Sequence, residues 1–330
     1  MKNFRSAIVG CGGIAQVHAR ALSEMENVRL AAYADTKPER AQALASQYGG
    51  QAYASLEALL DQESIDVLHI CTPHFLHLPM AQAAASRGIA VFTEKPPVIS
   101  RTQWQDFQAL PGPVGVCFQN RFNSSVAYAQ KRLEEGTLGS VLGARAFVTW
   151  RREAPYYTES GWRGALDTEG GGALINQAIH TLDLMVRFLG PARSAQAVQA
   201  NFHLPGVIQV EDTLAAYIRF AEANGVFYAT TAHAVDAPIL LELACQQGTL
   251  RIEGEEVTIT GPDGSKERRD FAQENAAAGK AYWGSSHGRC IQAFYQSLET
   301  GGPFLNDIAG VRDTVELMLD IYQSARAKAE

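Results

Sequence analysis

The sequence has no long uninterrupted apolar run, no C-x-x-C pair and no block of basic residues. No stretch approaches the roughly 18 apolar residues that a membrane-spanning helix needs, and glycines interrupt the N-terminal MKNFRSAIVGCGG too early for a signal peptide. The net charge of −7 disfavours a nucleic-acid partner, because phosphates need neutralising cations. The five cysteines are odd in number and widely spaced, which predicts free thiols in a reducing compartment: Cys11, Cys71, Cys117, Cys245 and Cys290. We therefore expect a cytoplasmic protein with neither membrane nor nucleic acid as a partner.

The chain is long enough for two domains, since 330 residues exceed one typical core. In its first part, short apolar strands alternate with helices. Near-continuous apolar strands are typical of a parallel sheet covered on both faces. The strands are predicted at 6–10, 28–35, 65–72, 89–94 and 113–119, and the helices at 14–25, at 38–48 and before Gly88. We predict a doubly wound Rossmann domain over residues 1–122.

The pattern changes in the second part, residues 123–330, where strands follow strands after a helix at 124–135. Period-two alternation predicts a mostly antiparallel open sheet. Its strands are predicted in VLGARAFVTWRR, DTLAAYIRF and GVFYATTAHA and at 240–245, 249–253 and 257–259. A glycine-led amphipathic helix closes at Gly190, and we expect a final helix, 307–327, to pack at the domain junction. Both parts together make an α/β protein, with a ligand cleft expected between the domains.

A G-x-G-x-x-A motif follows the first strand and opens a helix. Gly10 permits a tight turn, Gly12 lets the backbone approach a pyrophosphate, and Ala15 lets helix and strand pack closely. The N–H groups of the helix start favour phosphate. The motif predicts a dinucleotide site, the alternative being a glycine turn without a ligand; its cofactor-binding residues are Gly10, Gly12, Gly13, Ile14 and Ala15.

Asp35 ends the second strand, twenty residues past Ala15, where it is placed to accept hydrogen bonds from ribose hydroxyls. Its charge would repel a 2′-phosphate, so NAD is the predicted cofactor. Thr36, Lys37 and Arg40 follow closely and keep NADP open as the alternative.

Four segments in order, AIVGCGGIA, CTPHFLH, TEKPP and GGGALINQAIHTLD, resemble the Gfo/Idh/MocA family (glucose-fructose oxidoreductase, inositol dehydrogenase and relatives). RFNSS and ELMLDIYQSA extend the resemblance over essentially the whole chain. The resemblance implies an NAD(P)-dependent oxidoreductase that moves a hydride between nicotinamide and a secondary alcohol or ketone carbon. It implies a sugar, inositol or related substrate, and a homodimer or homotetramer formed through the C-terminal sheet. Two alternatives stay open: an enzyme that retains NAD and cleaves glycosides by transient oxidation, and a non-catalytic NAD-responsive regulator.

Lys95 lies at the carboxyl end of a predicted strand, where open parallel sheets bind ligands. The following prolines fix the direction of the loop. The resemblance implies that this lysine contacts the substrate hydroxyl and supports proton transfer, and that Glu94 and Lys95 also border the cofactor. The alternative is a solvated surface lysine.

Asn176, His180 and Asp183 are spaced i, i+4 and i+7, which predicts one shared helix face. His180 is the predicted general base, because imidazole accepts a proton near neutral pH. A core histidine is the alternative. Many relatives have aspartate at the position of Asn176, and asparagine holds a hydroxyl but takes no proton. We therefore predict Lys95, Asn176 and His180 as the catalytic residues, with the proton work done by the lysine and the histidine.

Thr72, Pro73, His74 and His77 match the family segment T-P-N-x-x-H, which implies contact with the nicotinamide half of the cofactor. His74 replaces the usual asparagine but keeps a hydrogen-bonding edge. For His77, capping of the next helix is an equal alternative.

Aromatic and guanidinium groups suit hydroxyl-rich or anionic ligands, although such clusters are as often packing. The predicted substrate-binding residues are Arg121, Trp162, Arg163, Asn176 and His180, with Arg151, Tyr156 and Tyr157 as weaker candidates. His287 could reach the same pocket, but a surface loop is favoured. No metal is expected, since no familiar ligand spacing occurs.

Overall fold

The computed structural model describes residues 2–272, 274 and 286–327. The chain divides into two compact units, one of Met1–Gln119 with Ser285–Val311 and one of Asn120–Gly284 with Arg312–Glu330. The sequence places its boundary after residue 122, three residues beyond the first division. The sequence does not predict that a segment late in the chain, up to Val311, belongs to the first unit. Among the described residues, no helix combines the length and apolar character needed to cross a membrane.

The first unit alternates strands and helices as predicted. Its elements up to residue 119 are β1 (Phe4–Val9), α1 (Gly13–Ser23), β2 (Val28–Ala34), α2 (Pro38–Tyr48), β3 (Gln51–Tyr53), α3 (Leu56–Gln62), β4 (Val67–Ile70), α4 (His77–Ala85), β5 (Ala90–Thr93), α5 (Arg101–Gln108) and β6 (Val114–Val116).

The six strands form one sheet in the order β3-β2-β1-β4-β5-β6, and every adjacent pair is parallel. β4 and β5 are buried along their whole length, which explains their mostly apolar sequences. The strand order reverses between β1 and β4. In doubly wound sheets, this is where ligands bind beyond the carboxyl ends of the strands. The predicted Rossmann fold is confirmed.

The second unit begins with α6 (Ser124–Glu134), β7 (Val141–Thr149), α7 (Ala154–Thr158) and α8 (Leu166–Glu169). A π-helical segment, Ala173–Ala178, leads into α9 (Ile179–Leu189). The following strands are β8 (Ser194–Ala200), β9 (Thr213–Arg219), β10 (Asn224–Thr230), β11 (Leu240–Cys245), β12 (Gly248–Glu253), β13 (Glu256–Thr260) and β14 (Lys266–Asp270).

The second sheet has the order β14-β13-β12-β11-β7-β10-β9-β8. Only the β7–β10 pair is parallel among these described strands, so the mostly antiparallel open sheet is confirmed. Alternate residues of β9 are buried, namely Leu214, Ala216 and Ile218, while the residues between them face outward. α9 packs on β7, so one face of the sheet is covered by the glycine-led segment and its helix.

Two helices complete the described chain. α10 (Ser286–Thr300) belongs to the first unit, where it packs on α1. α11 is Ile308–Arg326, close to the predicted 307–327, and the division between the units falls within it, after Val311.

Candidate active site

The turn after β1 has the backbone that the glycine motif predicts. Gly10 has φ +83°, and a Cβ there would lie 2.8 Å from the carbonyl carbon and oxygen of Cys71. A side chain at Gly10 is therefore excluded by conformation and by space. At Gly12, in contrast, no described atom lies within 4 Å of the position that a Cβ would take. Ala15 is fully buried, as close packing of helix and strand requires.

Asp35 joins this turn to the end of β2. Its carboxylate accepts hydrogen bonds from the backbone N–H of Cys11 (2.7 Å) and of Lys37 (2.8 Å). The N–H of Gly10 also donates to the Ala34 carbonyl at 2.8 Å. Asp35 is thus held beside the turn, and a carboxylate retains lone pairs beyond two such bonds. Thr36 lies next to it and is exposed.

These groups fit a dinucleotide. No side chain among the described residues caps α1, and its first turn carries no acid, so the N–H groups at Gly13 and Ile14 begin an uncapped helix. An uncapped N-terminus next to an open glycine suits a pyrophosphate. A bound nicotinamide cofactor would be held here by the turn and by Asp35.

The segments after β4 and β5 are joined by His77. This histidine is fully buried at the start of α4, with Nδ1 2.6 Å from the Pro96 carbonyl oxygen and Nε2 2.8 Å from that of Thr72. Burial lowers the pKa of His77, and the two carbonyls act in the opposite direction. Both ring nitrogens face the backbone, which favours a structural role over contact with the cofactor. Of its neighbours, Thr72 and Pro73 are half-buried and His74 is buried.

Lys95 follows β5 in the loop that His77 braces. Every residue from 90 to 98 is buried except Lys95, which is partly exposed. Glu94 is buried behind it, with Oε1 3.0 Å from His18 Nε2, and its Oε2 accepts the Lys95 N–H at 3.2 Å. Burial alone would raise the pKa of Glu94, but the hydrogen bond and charge of His18 hold it well below its usual range.

A chain of buried polar groups extends from Glu94 into the first unit, and it is not predictable from the sequence. His18 Nδ1 lies 3.0 Å from His69 Nδ1, and His69 Nε2 lies 2.9 Å from the Tyr295 hydroxyl. Burial lowers the pKa of His69 well below its ordinary value. His287 is buried on α10, with Nε2 3.9 Å from Glu94, so the expected surface loop is wrong.

One metal-compatible group occurs in this region. Donor atoms of His18, Glu94 and Cys117 all lie within 4.8 Å of one another. The first two are already paired at 3.0 Å. That the protein binds no metal remains a prediction.

In the second unit, the glycine triplet allows close packing at the start of the π-helical segment. A Cβ on Gly171 would lie 2.1 Å from the Tyr322 hydroxyl oxygen, and one on Gly172 would lie 1.9 Å from the Glu211 carbonyl oxygen. The Glu211 carboxylate accepts the N–H groups of Gly172 (2.8 Å) and Leu174 (3.1 Å) and the hydroxyl of Tyr322 (2.8 Å). The helix start is therefore fixed by side chains distant in sequence.

Asn176 and His180 differ from their surroundings in exposure. Residues 171–186 are all described, and every one is buried except these two, which are half-buried. Asn176 lies in the π-helical segment and His180 in the first turn of α9. The spacing prediction thus identifies the two residues through which this stretch reaches its surface.

Asp183 is not part of that surface. It is fully buried, and its two carboxylate oxygens accept hydrogen bonds from Nε and Nη2 of Arg121 at 2.8 and 2.6 Å. Thr314 donates to the same carboxylate at 2.7 Å. The structure therefore places Arg121 in a bidentate ion pair inside the second unit, and its role in substrate binding remains a prediction.

Glu169, the residue before the glycines, was not identified from the sequence. Its buried carboxylate accepts the Gly164 N–H at 2.6 Å and the side-chain Nδ2 of Asn176. Burial raises the pKa of Glu169 to about 7, although these two hydrogen bonds act in the opposite direction. A carboxyl group that titrates near neutrality thus contacts a predicted catalytic residue.

Tyr156 connects the predicted substrate residues. The guanidinium of Arg163 stacks 4.6 Å from the ring centroid of Tyr156 and 4.6 Å from that of Trp162. The Tyr156 hydroxyl accepts a hydrogen bond from Nε2 of Gln177 at 3.0 Å and lies 3.4 Å from Nδ2 of Asn176. The structure therefore brings Trp162, Arg163 and Asn176 together.

Two weaker candidates have other contacts. Tyr157 packs in a small hydrophobic core with Leu204, Ile208 and Val210. This contact corresponds to the packing role that the sequence leaves open as the alternative to substrate binding. Arg151 pairs with Glu153 on the surface.

Comparisons with known proteins show the family to which the chain is similar. The sequence model of an oxidoreductase family with an NAD-binding Rossmann fold matches residues 4–122, and that of the Gfo/Idh/MocA C-terminal domain matches residues 126–251. The D-glucoside 3-dehydrogenase of Escherichia coli (strain K12) is 29% identical over 251 residues, which cover 71% of each chain. Levoglucosan dehydrogenase of Pseudarthrobacter phenanthrenivorans is 26% identical over 314 residues, covering 82% of this chain and 80% of the relative.

A solved structure is similar along the whole chain. The WlbA dehydrogenase from Bordetella pertussis, crystallised with NADH and UDP-GlcNAcA, aligns with a TM-score of 0.86 and 27% identity, covering 99% of this chain and 98% of that one. The two family matches follow each other along the sequence, and together they span most of it. The chain therefore belongs to the Gfo/Idh/MocA family, and it is an NAD-dependent oxidoreductase whose residues 4–122 match the NAD-binding Rossmann domain.

Proposed function

We propose that this protein reversibly oxidises a secondary ring hydroxyl of a sugar or sugar derivative to the ketone. One observation carries the proposal. The family resemblance identifies two segments, residues 90–98 and 171–186, which are described in full. Every residue in them is buried except Lys95, Asn176 and His180, which are partly exposed. A lysine, an amide and an imidazole together supply the donors, acceptor and base that alcohol oxidation requires.

The roles follow from the chemistry of each group. NAD, when bound, accepts the hydride from the carbinol carbon. His180 takes the hydroxyl proton as general base and returns it in the reverse reaction. Lys95 donates to the substrate oxygen and stabilises the charge that develops there. Asn176 orients the hydroxyl by hydrogen bonding and carries no proton between states.

A pyranose ring is the proposed substrate class. The stacked Trp162, Arg163 and Tyr156 offer a flat surface with hydrogen-bonding edges, which suits a hydroxyl-rich ring. The relatives named above act on a glucoside and on levoglucosan, and the solved structure holds a sugar nucleotide. Glycosides, anhydrosugars and sugar nucleotides are therefore the first compounds to test.

The test is a screen of these compounds with NAD and NADP separately, following the absorbance of the reduced cofactor. Lys95→Ala and His180→Ala should each abolish turnover and leave NAD binding nearly intact. The controls Lys131→Ala and His233→Ala change exposed residues of the same types and should keep full activity. Turnover that persists in either site variant would refute the assigned roles. A glycoside cleaved without net NADH formation would instead support the NAD-retaining alternative.

We further propose that a second copy of the chain covers the outer face of the second sheet. Val198, Tyr217 and Val226 are 55%, 46% and 46% exposed on the adjacent strands β8, β9 and β10. Tyr217 is paired with Val226 in register, so the apolar side chains are neighbours. The same face carries charges of both signs on β11 to β14, as a self-complementary contact requires: Glu242, Arg251, Glu253, Lys266 and Arg268.

Light scattering after size-exclusion chromatography tests this contact. Tyr217→Glu and Val226→Glu should each reduce the oligomer to monomer. Val235→Glu is the matched control, because Val235 is 65% exposed but lies outside the strands. A wild-type monomer at micromolar concentration would exclude the interface.

We also propose a cytoplasmic location. All five cysteines are buried and free, as expected in a reducing compartment. Fractionation of cells that express the tagged chain tests this directly, and recovery in an oxidising compartment would contradict it.

A further inference from the structure

Glu169 ends the short helix α8, and its carboxylate connects two separate parts of the second unit. Oε2 accepts the backbone N–H of Gly164 at 2.6 Å, directly after Arg163. Oε1 accepts Nδ2 of Asn176, on the segment that also carries His180. The side chain is fully buried, so water cannot replace either bond without a change in packing.

The charged groups that act on Glu169 come from several elements. Burial opposes its ionisation most strongly, and the nearby carboxylate of Glu211 acts in the same direction. The guanidinium of Arg163 and the two hydrogen-bond donors favour the charged form. Tyr156 and Tyr157 lie on α7, and the negative charge of Glu169 acts to raise the pKa of both hydroxyl groups. The site is therefore balanced between a neutral and an ionised carboxyl group.

The ionised form determines which way the Asn176 amide points. A carboxylate only accepts hydrogen bonds, so it selects Nδ2 as its partner and places Oδ1 on the opposite branch of the amide. When Glu169 is protonated, only its carbonyl oxygen remains a strong acceptor, while both the Gly164 N–H and the Asn176 Nδ2 need one. The O–H of the protonated group must donate to a different acceptor. The amide then loses the contact that selects its orientation.

We propose, on the basis of the function assigned above, that Glu169 is a positioning residue that orients the Asn176 amide toward the substrate hydroxyl. Asn176 contacts the substrate, whereas Glu169 acts only through it. Loss of the negative charge on Glu169 releases the amide and slows turnover.

The first test replaces the carboxylate. Glu169→Gln presents one acceptor and one donor to two N–H donors, so kcat should fall about 10- to 100-fold while the Kd for NAD is unchanged. Asp167→Asn is the matched control, because Asp167 lies on the same helix but is exposed. The reciprocal double variant, Glu169→Gln with Asn176→Asp, restores the hydrogen bond with its polarity reversed and should recover most of the lost kcat.

The pH profile distinguishes positioning from mere support of the fold. In the wild type, protonation of Glu169 should contribute to the fall of kcat/KM on the acid side of the pH profile. In Glu169→Gln this contribution is absent, so the acid side of the profile should be less steep by one proton. A variant that melts earlier but shows wild-type kcat and an unchanged acid side of the profile would overturn the proposal.

A measurement without substrate separates this inference from the function on which it rests. The carboxyl carbon of Glu169, followed by NMR and assigned by its loss in Glu169→Gln, should titrate near pH 7. Asn176→Ala should move that midpoint upward, because it removes a donor to the charged form. If the wild type is inactive on the whole screen, the function fails and this titration still decides the inference. A midpoint that Asn176→Ala leaves unchanged would overturn it.

Discussion

The ion pair between Arg121 and Asp183 makes the stability of the second unit sensitive to the loss of either partner. Its side chains are only 4% and 0% exposed, and the guanidinium makes two parallel hydrogen bonds to the carboxylate. Arg121→Met leaves the buried Asp183 carboxylate with the Thr314 hydroxyl as a hydrogen-bond donor but without its cation. Breaking a buried pair from one side costs about 3–5 kcal/mol, because an uncompensated charge stays behind. For a unit of this size, that corresponds to a fall in Tm of about 6–20 °C.

The decisive comparison is with the double variant Arg121→Met with Asp183→Leu. Removing both charges in favour of apolar groups of similar volume is often nearly neutral, so the Tm should return toward the wild-type value. Circular dichroism during thermal melting measures this. Arg20→Met is the control, since its pair with Glu24 is 54% and 65% exposed and should change Tm little. A single variant as stable as the control, or a double variant less stable than the single, would refute the reasoning.

Three further predictions concern the turn, the cofactor and the buried acid. Gly12→Ala should fold normally and should bind NAD at least tenfold more weakly, as measured by calorimetry. Gly10→Ala should instead lower Tm, because Gly10, unlike Gly12, has a positive φ and backbone atoms at 2.8 Å from the position of a Cβ. Asp35→Ser should shift the ratio of kcat/KM for NAD over NADP toward NADP by about tenfold or more, and an unchanged ratio would show that Asp35 does not select the cofactor. Burial raises the pKa of Glu169 from 4.5 to about 7. Between these two pH values the folded protein keeps a proton on Glu169 that the unfolded chain has lost. The stabilisation that Glu169 contributes to the folded state therefore falls as the pH rises from about 5 to about 8. The Tm of Glu169→Gln should therefore rise relative to wild type between about pH 5 and pH 8, and a constant difference would contradict the titration.

The strands that could be predicted are those with a buried face. β4 and β5 are buried on both faces and have mostly apolar sequences, whereas β9 alternates between apolar and polar residues because only one of its faces is covered. The strands without a prediction are β3, β8 and β14, and all three lie at sheet edges. β14 is KERRD with every residue exposed, so only its backbone pairing with β13 makes it a strand. An edge strand held in this way leaves little pattern in its side chains.

The positions of the candidate site residues in the fold could be predicted where they depend on a local sequence motif. Gly10, Asp35 and Lys95 occupy the places that the motifs indicate, at the ends of β1, β2 and β5. Their spacing along the chain determines their place in a parallel sheet, because strand ends meet at one edge. His77 is predicted from a match to a family segment and Arg121 from the chemistry of its guanidinium, and the structure gives them partners in the backbone and in Asp183. Such partners are distant in sequence, so composition and periodicity do not reveal them.

The glycine triplet has two buried acids beside it, and they do different work. Glu211 accepts three donors, two of them N–H groups at the start of the π-helical segment, so its carboxylate fixes the backbone that carries Asn176. Glu169 accepts a donor from the Asn176 side chain itself and therefore fixes the amide rather than the backbone. Burial raises the pKa of both acids, and the hydrogen-bond donors around each of them act in the opposite direction. Since Gly171 and Gly172 let Tyr322 and Glu211 come so close, a side chain at either glycine would first displace the backbone support and then the amide that depends on it. The Asn176 amide, which we propose to contact the substrate, is thus tied to the packing around Glu169 and Glu211.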